Sequence, residues 1–319
     1  MNLTVIIPTH NRSELLRRTL QGYCEQNAQN LQWELIVVSD GSMDSTQQTV
    51  MDFADRLPIK YVSQPKAGVS TARNLGLREA QSPVVIFLDD DVIPSPQLLG
   101  EHARFHGEWP ALESVLLGYV TWDSQLAITP FMRWYGEFGG LFGFSRLKDN
   151  REAHRRYLYS CNVSFKTEFL RDNGGFNDSL SVLEDHELGY RLEKRGMRMH
   201  FRRSALGYHN QSFTFEQACE RLERYSTGLG KFCLTDAGKE LLQRRARFPF
   251  RLAEVGIKAI VPILSPFRST LDSNIRLPNA IYRLFYWYYG THLAFWSHAN
   301  QELQPCERSE SGRKGLQQY

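Results

Sequence analysis

The most chemically loaded stretch of the chain is Asp89-Asp90-Asp91, three carboxylates directly after the apolar run Val84-Val85-Ile86-Phe87-Leu88. Adjacent carboxylates beside a buried strand repel one another, and a bound cation offsets that repulsion more readily than solvation does. Hard divalent cations such as Mg²⁺ and Mn²⁺ favour carboxylate oxygens. The plainer reading is a solvated acidic turn ahead of Pro94. Asp40, in Ser39-Asp40-Gly41-Ser42, either supports a turn at Gly41 or accepts a hydrogen bond from a ligand N–H. Glu184-Asp185, with Glu187 behind it, opens a helical pattern, so Asp185 can cap a helix or take a proton from a hydroxyl. Arg73 lies on the first turns of another helical pattern beside Gly68, where a guanidinium can clamp a base, a ribose or a diphosphate. His209 ends a strand pattern and by itself reads as an ordinary strand-end histidine.

These groups need elements that bring them together. Val5-Ile6-Ile7 reads as a strand, followed by a helix with Leu16, Leu20 and Tyr23 on one face and Ser13 as its N-cap. Glu34 to Val38 is a second strand, and Asp44, Ser45 or Thr46 opens a helix carrying Val50, Phe53 and Ala54. Ile59 to Val62 is a third strand, a helix spans about Ser70 to Ala80, and Val84 to Leu88 is a strand apolar at every position, hence buried on both faces. The order predicts a mostly parallel α/β sheet with right-handed crossovers, in which ligands bind beyond the carboxyl ends of the strands. Pro8-Thr9-His10-Asn11-Arg12, Ser39-Asp40-Gly41-Ser42 and Asp89-Asp90-Asp91 all fall at such ends.

Further along, 131–144 is rich in aromatics and glycine and reads as a wall or lid; Trp134 within it can stack on an acceptor sugar or anchor a hydrophobic plug. Cys161 to Phe165 reads as a strand, Gly174-Gly175-Phe176 as a turn, and Glu184 to Lys194 as a helix ended by Gly196. Met197 to Phe201 and Ala205 to Tyr208 read as two further strands, and from Phe215 the pattern is helical. Basic residues alternate with aromatics over 247–296, a composition that suits a membrane surface, a packed helical appendage or a dimer interface equally.

Composition bounds the classes. The chain has 319 residues, 42% hydrophobic and 23% charged, enough for a sizeable core. A net charge of +3 is too small to argue for nucleic acid. Five scattered cysteines without metal-type spacing read as reduced thiols in a cytoplasmic protein. No basic n-region precedes the first strand, and no clean run of the ~20 apolar residues of a spanning helix occurs.

Taken in order, the segments Val5 to Arg12, Val38 to Thr46, Gly68 to Gly76, Phe87 to Asp91, Gly174 to Phe176 and Glu184 to Leu188 resemble the family 2 glycosyltransferases of the GT-A fold. The resemblance covers roughly residues 1–215 and implies a GT-A catalytic domain there (1–215); the helical pattern beyond it gives a helical region (216–300), and the polar composition after Gln301 a disordered tail (301–319). The resemblance implies transfer of a sugar from a nucleoside diphosphate sugar, uridine-linked, to a hydroxyl of a sugar, a lipid-linked or another acceptor, with inversion and with Mn²⁺ or Mg²⁺, in polysaccharide, glycolipid or glycoconjugate synthesis. By the same carry-over Asp91, Asp89 and His209 hold the metal. Pro8, Thr9, Asn11, Asp40, Gly68, Arg73 and Asp89 bind the donor. Asp185 is the base, with Glu184 and Glu187 supporting it or the acceptor.

Other enzymes also combine a nucleotide fold with acidic metal ligands. A nucleotidyltransferase needs a glycine-rich basic loop after the first strand, and a dinucleotide-binding dehydrogenase needs Gly-x-Gly-x-x-Gly there. Pro8-Thr9-His10-Asn11-Arg12 contains no glycine. A non-catalytic nucleotide-sugar binding protein would have no need of Asp91 or Asp185. The expected location is cytoplasmic, with peripheral contact at the inner membrane face through the late helices.

Overall fold

A computed structural model describes residues 2–245 and 265–289. The expected tail 301–319, Cys306, and Phe250, Phe295 and Trp296 of the late aromatic stretch lie outside the described residues. The chain forms two compact units: Met1–Ile128 with Gly136–Ser212, and Thr129–Tyr135 with the chain from Phe213.

The first unit is built on a nine-stranded sheet. β1 (Asn2–Thr9), β2 (Gln32–Asp40), β3 (Ile59–Gln64) and β4 (Val84–Leu88) are mutually parallel in the spatial order β3-β2-β1-β4. They are joined through α1 (Ser13–Cys24), α2 (Thr46–Met51) and α3 (Val69–Glu79), the crossover helices that parallel neighbours require. Val84 to Leu88 are all 0% exposed, as an apolar strand covered on both faces should be. α1 begins at Ser13 rather than being capped by it: the Ser13 N–H donates to Asp44 Oδ2 at 3.0 Å, so the neighbouring loop satisfies a helix-end donor that the helix cannot.

The remaining strands turn the sheet mixed. They are β5 (Val92–Pro94), β6 (Ser114–Trp122), β7 (Arg151–Glu152), β8 (Asn162–Lys166) and β9 (Arg198–His209). β8 inserts antiparallel between β4 and β6, β9 runs parallel to β6, and the short β5 and β7 pair antiparallel with β9. The helices of this part are α4 (Leu98–Glu108), α6 (Thr167–Asp172) and α7 (Glu184–Glu193), whereas most of α5 (Pro130–Glu137) belongs to the second unit.

The two strands expected at Met197 to Phe201 and Ala205 to Tyr208 are one, β9, interrupted by a bulge. Gly118 pairs with Arg202 but Tyr119 pairs with Leu206, so residues 203–205 have no partners in β6. Such an insertion disrupts the alternation that a sequence pattern depends on. Asn162 pins the bulge: its Nδ2 donates to the carbonyls of Tyr119 (3.2 Å) and Ala205 (2.9 Å). A Cβ on Gly118 would collide with that Nδ2, so glycine is what leaves room for it.

Carbonyls only accept, so Asn162 Oδ1 must face His102 Nε2, which carries a proton and donates at 3.0 Å. His102 Nδ1 then accepts from Ser164 Oγ (2.7 Å), and that oxygen accepts from His106 Nε2 (2.8 Å). All four side chains belong to residues at 0% exposure. Burial lowers the His102 pKa to about 4, which keeps the ring neutral as this arrangement requires.

The second unit contains α8 (Phe215–Thr227), α9 (Leu229–Cys233), α10 (Asp236–Arg245) and α11 (Asn279–Phe285). α8 opens on a capping box in which Thr214 accepts from the Gln217 N–H and the Gln217 side chain accepts from the Thr214 N–H. Phe131, Trp134 and Tyr135 of α5 fall on one helical face and pack with Phe215, Tyr282 and Tyr286. Trp134 is 2% exposed, stacked on Tyr282 at 5.8 Å and edge-on to Tyr286 at 5.7 Å. It is an interior ring, which fits the hydrophobic plug of the two alternatives and not the sugar-stacking surface. Phe144, at the other end of the expected wall, stacks on Phe201 in the first unit. Tyr282, Phe285 and Tyr286 of the late aromatic stretch are also buried, whereas Trp287, Tyr288 and Tyr289 are half-buried. No helix among the described residues is long and apolar enough to cross a membrane.

Candidate active site

Because β1, β2 and β4 run parallel, Thr9, Asp40 and the acidic run after Leu88 emerge at one edge of the sheet. There Thr9, Asp40, Asp89 and Asp90 border a cleft of about 260 Å³ with Arg73 and Val69 of α3 and with His10 and Arg12. Asn11, at φ 52°, shapes the first loop: its N–H donates to Ser42 Oγ at 3.0 Å and its Oδ1 accepts the Met43 N–H at 2.8 Å. The side chain thus ties two strand-end loops together, a structural task where donor contact was expected.

Asp40 is held by three donors. Oδ1 accepts from the Ala67 N–H and Gln64 Nε2, both at 2.8 Å, and Oδ2 accepts from the Gly68 N–H at 2.9 Å. Burial alone would raise its pKa, but these hydrogen bonds outweigh burial and hold it below the usual carboxylate value. Gly68 precedes α3 at φ 105°, a conformation that favours glycine. A carboxylate has about four lone-pair positions, so one remains for a ligand N–H. His10 lies beside it. Lys66 Nζ can only donate to His10 Nε2 (3.0 Å), so Nδ1 carries the proton and donates to the Asp40 carbonyl (2.7 Å).

The acidic run divides three ways. Asp89 has the most open side chain, 36% exposed, and accepts from Arg73 Nη2 at 3.2 Å. Asp90 is engaged through both oxygens: its Oδ2 accepts from Thr9 Oγ1 at 2.7 Å and its Oδ1 pairs with Arg12 at 2.8 Å. Asp91 Oδ2 pairs with Arg12 at 2.5 Å and lies 3.7 Å from His209 Nε2. Burial, then repulsion from Asp91, raises the Asp90 pKa, while Arg12 and Thr9 oppose the rise. β5 and β6 both pair with β9 at His209, which fixes that ring beside the run.

Arg73 joins the run to the other half of the site. It is 4% exposed and reaches Asp89 through one nitrogen and Glu184 Oε1 (2.9 Å) through the other. The next residue, Asn74, brackets Phe176 with bonds to its carbonyl (2.7 Å) and its N–H (2.8 Å), which secures the Gly174-Gly175-Phe176 turn. Glu187 is taken by Arg191 through both oxygens at 3.0 Å, and Arg191 also donates to Asn173 and Gly175 carbonyls. Its role is therefore in the scaffold.

Asp185 does not cap α7; Leu183 holds the N-cap position. Its Oδ2 accepts from the N–H (3.0 Å) and Oγ (3.1 Å) of Ser160, and its Oδ1 is buried with no hydrogen-bond partner among the described residues. Burial, with repulsion from Glu184, pushes its pKa up to about 7 against the pull of Arg73 and Ser160. A carboxylate with one oxygen anchored, the other unengaged, and a pKa near neutrality is suited to general-base work.

Among the described residues no group of three or more His, Cys, Asp or Glu side chains is arranged to hold a metal ion. Asp91 and His209 nonetheless supply a hard oxygen and an imidazole side by side, with Asp89 at the mouth of the cleft. Mg²⁺ and Mn²⁺ commonly take one or two protein ligands and complete their shells with phosphate oxygens and water, so the donor set fits such a cation. Arg12, His10, Ser160 and Gln211 were not expected as site residues from the sequence. Arg12 and His10 stand inside the first strand-end motif, whereas Ser160 and Gln211 offer no local signal.

The sequence pattern of glycosyl transferase family 2 matches residues 4–170. Validoxylamine A glucosyltransferase of Streptomyces hygroscopicus subsp. jinggangensis is 33% identical over 242 residues, 64% of this chain and 54% of that protein, so the chain spans about half the length of this relative. Among solved structures, S. aureus TarS 1–349 in complex with UDP-GlcNAc is similar at TM-score 0.56 and 20% identity, over 77% of this chain and 72% of that one. Mannosyltransferase PcManGT from Pyrobaculum calidifontis, in complex with GDP-Man and Mn²⁺, is similar at TM-score 0.55 and 17% identity, over 89% and 87%. Both likenesses are of fold, the GT-A arrangement expected from the motifs. With that fold and a family pattern covering more than half its length, the chain belongs to glycosyl transferase family 2.

Proposed function

We propose that the protein transfers a sugar from a nucleoside diphosphate sugar, uridine-linked, to an acceptor hydroxyl with inversion at the anomeric carbon. The observation that carries this reading is Asp185: its unengaged Oδ1 lies on a carboxyl anchored by Ser160, and the neighbouring Glu184 is tied through Arg73 to Asp89. Names among its relatives and structural neighbours support it, since one is a glucosyltransferase and others are solved with UDP-GlcNAc or with GDP-Man and Mn²⁺.

In this reading Asp40, Pro8 and Thr9 bound the base pocket, with the remaining Asp40 lone pair accepting a base N–H. A divalent cation held by Asp91 and His209, with Asp89 beside them, would neutralise charge growing on the departing diphosphate. Arg73 keeps Asp89 at the cleft mouth. The acceptor proton passes to Asp185 Oδ1 as the acceptor oxygen bonds to the anomeric carbon. The electron pair of the broken carbon–oxygen bond leaves with the diphosphate. A single base suffices because no covalent sugar–enzyme stage is formed. The acceptor class is a hydroxyl on a sugar, lipid-linked or other glycoconjugate.

The test is a panel of nucleotide sugars screened by thermal shift with Mn²⁺, Mg²⁺ and chelator, followed by transfer assays on those that bind. A uridine diphosphate sugar should raise the melting temperature only with the cation present. A panel in which no nucleotide sugar shifts the protein would overturn the reading.

A further inference from the structure

Arg12 precedes α1 and is the one cation that touches both Asp90 and Asp91 in the contacts described above. Its Nη2 also donates to Gln211 Oε1 at 2.7 Å, two residues beyond His209. The side chain is 33% exposed and borders the cleft. Its three contacts are made by the terminal nitrogens, so rotation of the guanidinium releases all of them together.

The contact with Asp91 has a particular address. Oδ2, the oxygen held by Arg12, is the one that lies 3.7 Å from His209 Nε2. A divalent cation seated along this close approach of Asp91 to His209 takes that oxygen. Two positive centres on one oxygen repel strongly at contact distance, and the burial of Asp91 and His209 weakens the screening between them. A guanidinium that turns away gives up Asp90 along with Asp91 and needs another anion, because an uncompensated charge at a half-buried position is costly. The diphosphate of the donor would arrive in the same cleft, and a planar guanidinium matches phosphate oxygens with paired donors.

We propose that Arg12 is a mobile counterion: it neutralises Asp90 and Asp91 in the free protein, yields Asp91 to the incoming cation, and turns onto the donor diphosphate. The inference rests on the reading above, in which the donor is a nucleoside diphosphate sugar accompanied by a cation. It makes cation and nucleotide bind cooperatively. The cation alone must displace Arg12 without offering it a new partner, whereas the pair supplies one.

The experiment measures two affinities on the full chain and on Arg12→Gln. Mn²⁺ binding without nucleotide is followed by electron paramagnetic resonance, and UDP binding in saturating Mn²⁺ by calorimetry. Arg12→Gln should tighten Mn²⁺ alone by about tenfold and weaken UDP by about tenfold, the scale of one charge-assisted hydrogen bond. Arg12→Lys, which keeps the charge and loses the fork, should leave Mn²⁺ binding near that of the parent and still weaken UDP.

Weaker Mn²⁺ binding in Arg12→Gln would show Arg12 to be a fixed support of the carboxylates and overturn the proposal. So would unchanged affinities in both variants. If Arg12→Gln does not fold, the Lys variant decides: undiminished UDP affinity overturns the proposal. A parent chain that binds neither Mn²⁺ nor UDP would instead remove the donor reading, and the proposal with it.

Discussion

Ser160 directs both of its donors, N–H at 3.0 Å and Oγ at 3.1 Å, to the same oxygen of Asp185. These bonds favour the ionised carboxyl, whereas burial and Glu184 favour the protonated one, and the balance lies at about 7. A base must be ionised to accept a proton, so kcat/KM should rise with pH through that value. Ser160→Ala removes support for the charged form and should move the acidic limb upward by about one pH unit. Asp185→Asn should cut transfer by roughly 10²–10⁴-fold while UDP still binds. A rate flat from acidic to alkaline pH, or near-normal transfer by Asp185→Asn, would assign the proton to another group.

Arg73→Gln should be costly to the fold as well as to the reaction. It leaves Glu184, 14% exposed, and Asp89 without their shared cation. Breaking a largely buried ion pair from one side typically costs about 3 kcal/mol or more. Urea denaturation should therefore show a lower midpoint at unchanged slope, and the double variant Arg73→Gln with Glu184→Gln should recover part of the loss.

Asp91→Ala tests the cation directly. The expected outcome is loss of the Mn²⁺-dependent rise in melting temperature on adding UDP, at unchanged secondary structure by circular dichroism. Retention of that rise would place the cation on other ligands.

Two glycines answer to geometry more than to chemistry. Gly175 has φ 63°, and a Cβ on it would collide with Asn74 Oδ1, the atom that accepts the Phe176 N–H. Gly175→Ala should lower stability by about 1–3 kcal/mol through backbone strain and a displaced side chain. Gly118→Ala should do likewise by pushing Asn162 off the β9 bulge. Thermal unfolding of each variant measures the loss, and unchanged midpoints would contradict the packing described.

The sites legible in the sequence are those where one short segment carries both the strand and its polar end. β1 and β2 end in Thr9 and Asp40, and Asp89 directly follows β4, so parallel pairing alone gathers them. Arg12 with Asp91, and Ser160 with Asp185, are separated by 79 and 25 positions, and no periodicity links them. β9 read as two strands because the bulge at 203–205 interrupts its alternation. Trp134 shares a helical face with Phe131 and Tyr135, and that spacing was itself the mark of a buried face rather than a sugar platform.

Acid should unfold the protein through its interior. Burial depresses the His102 pKa from 6.5 to about 4, so the unfolded chain binds a proton that the folded one refuses between those values. The stability present above pH 6.5 should fall by roughly 3 kcal/mol as pH drops through about 4, from this group alone. Guanidinium melts across that range check it, and a stability curve without that decline would contradict a neutral buried ring.

The same row of side chains has a direction. Every proton in it points from His106 through Ser164 and His102 toward Asn162 and the β9 bulge, and the far end, His106 Nδ1, is buried with no partner among the described residues. A chain of donors is only as replaceable as its position in line. His106 can be exchanged for an apolar side chain of similar shape while sparing everything downstream, because Ser164 keeps its own donor for His102. His102 has no such latitude, since losing it strands a donor behind it and an acceptor ahead. Tolerance to change should thus rise with distance from the bulge, measured along the hydrogen bonds and not along the sequence.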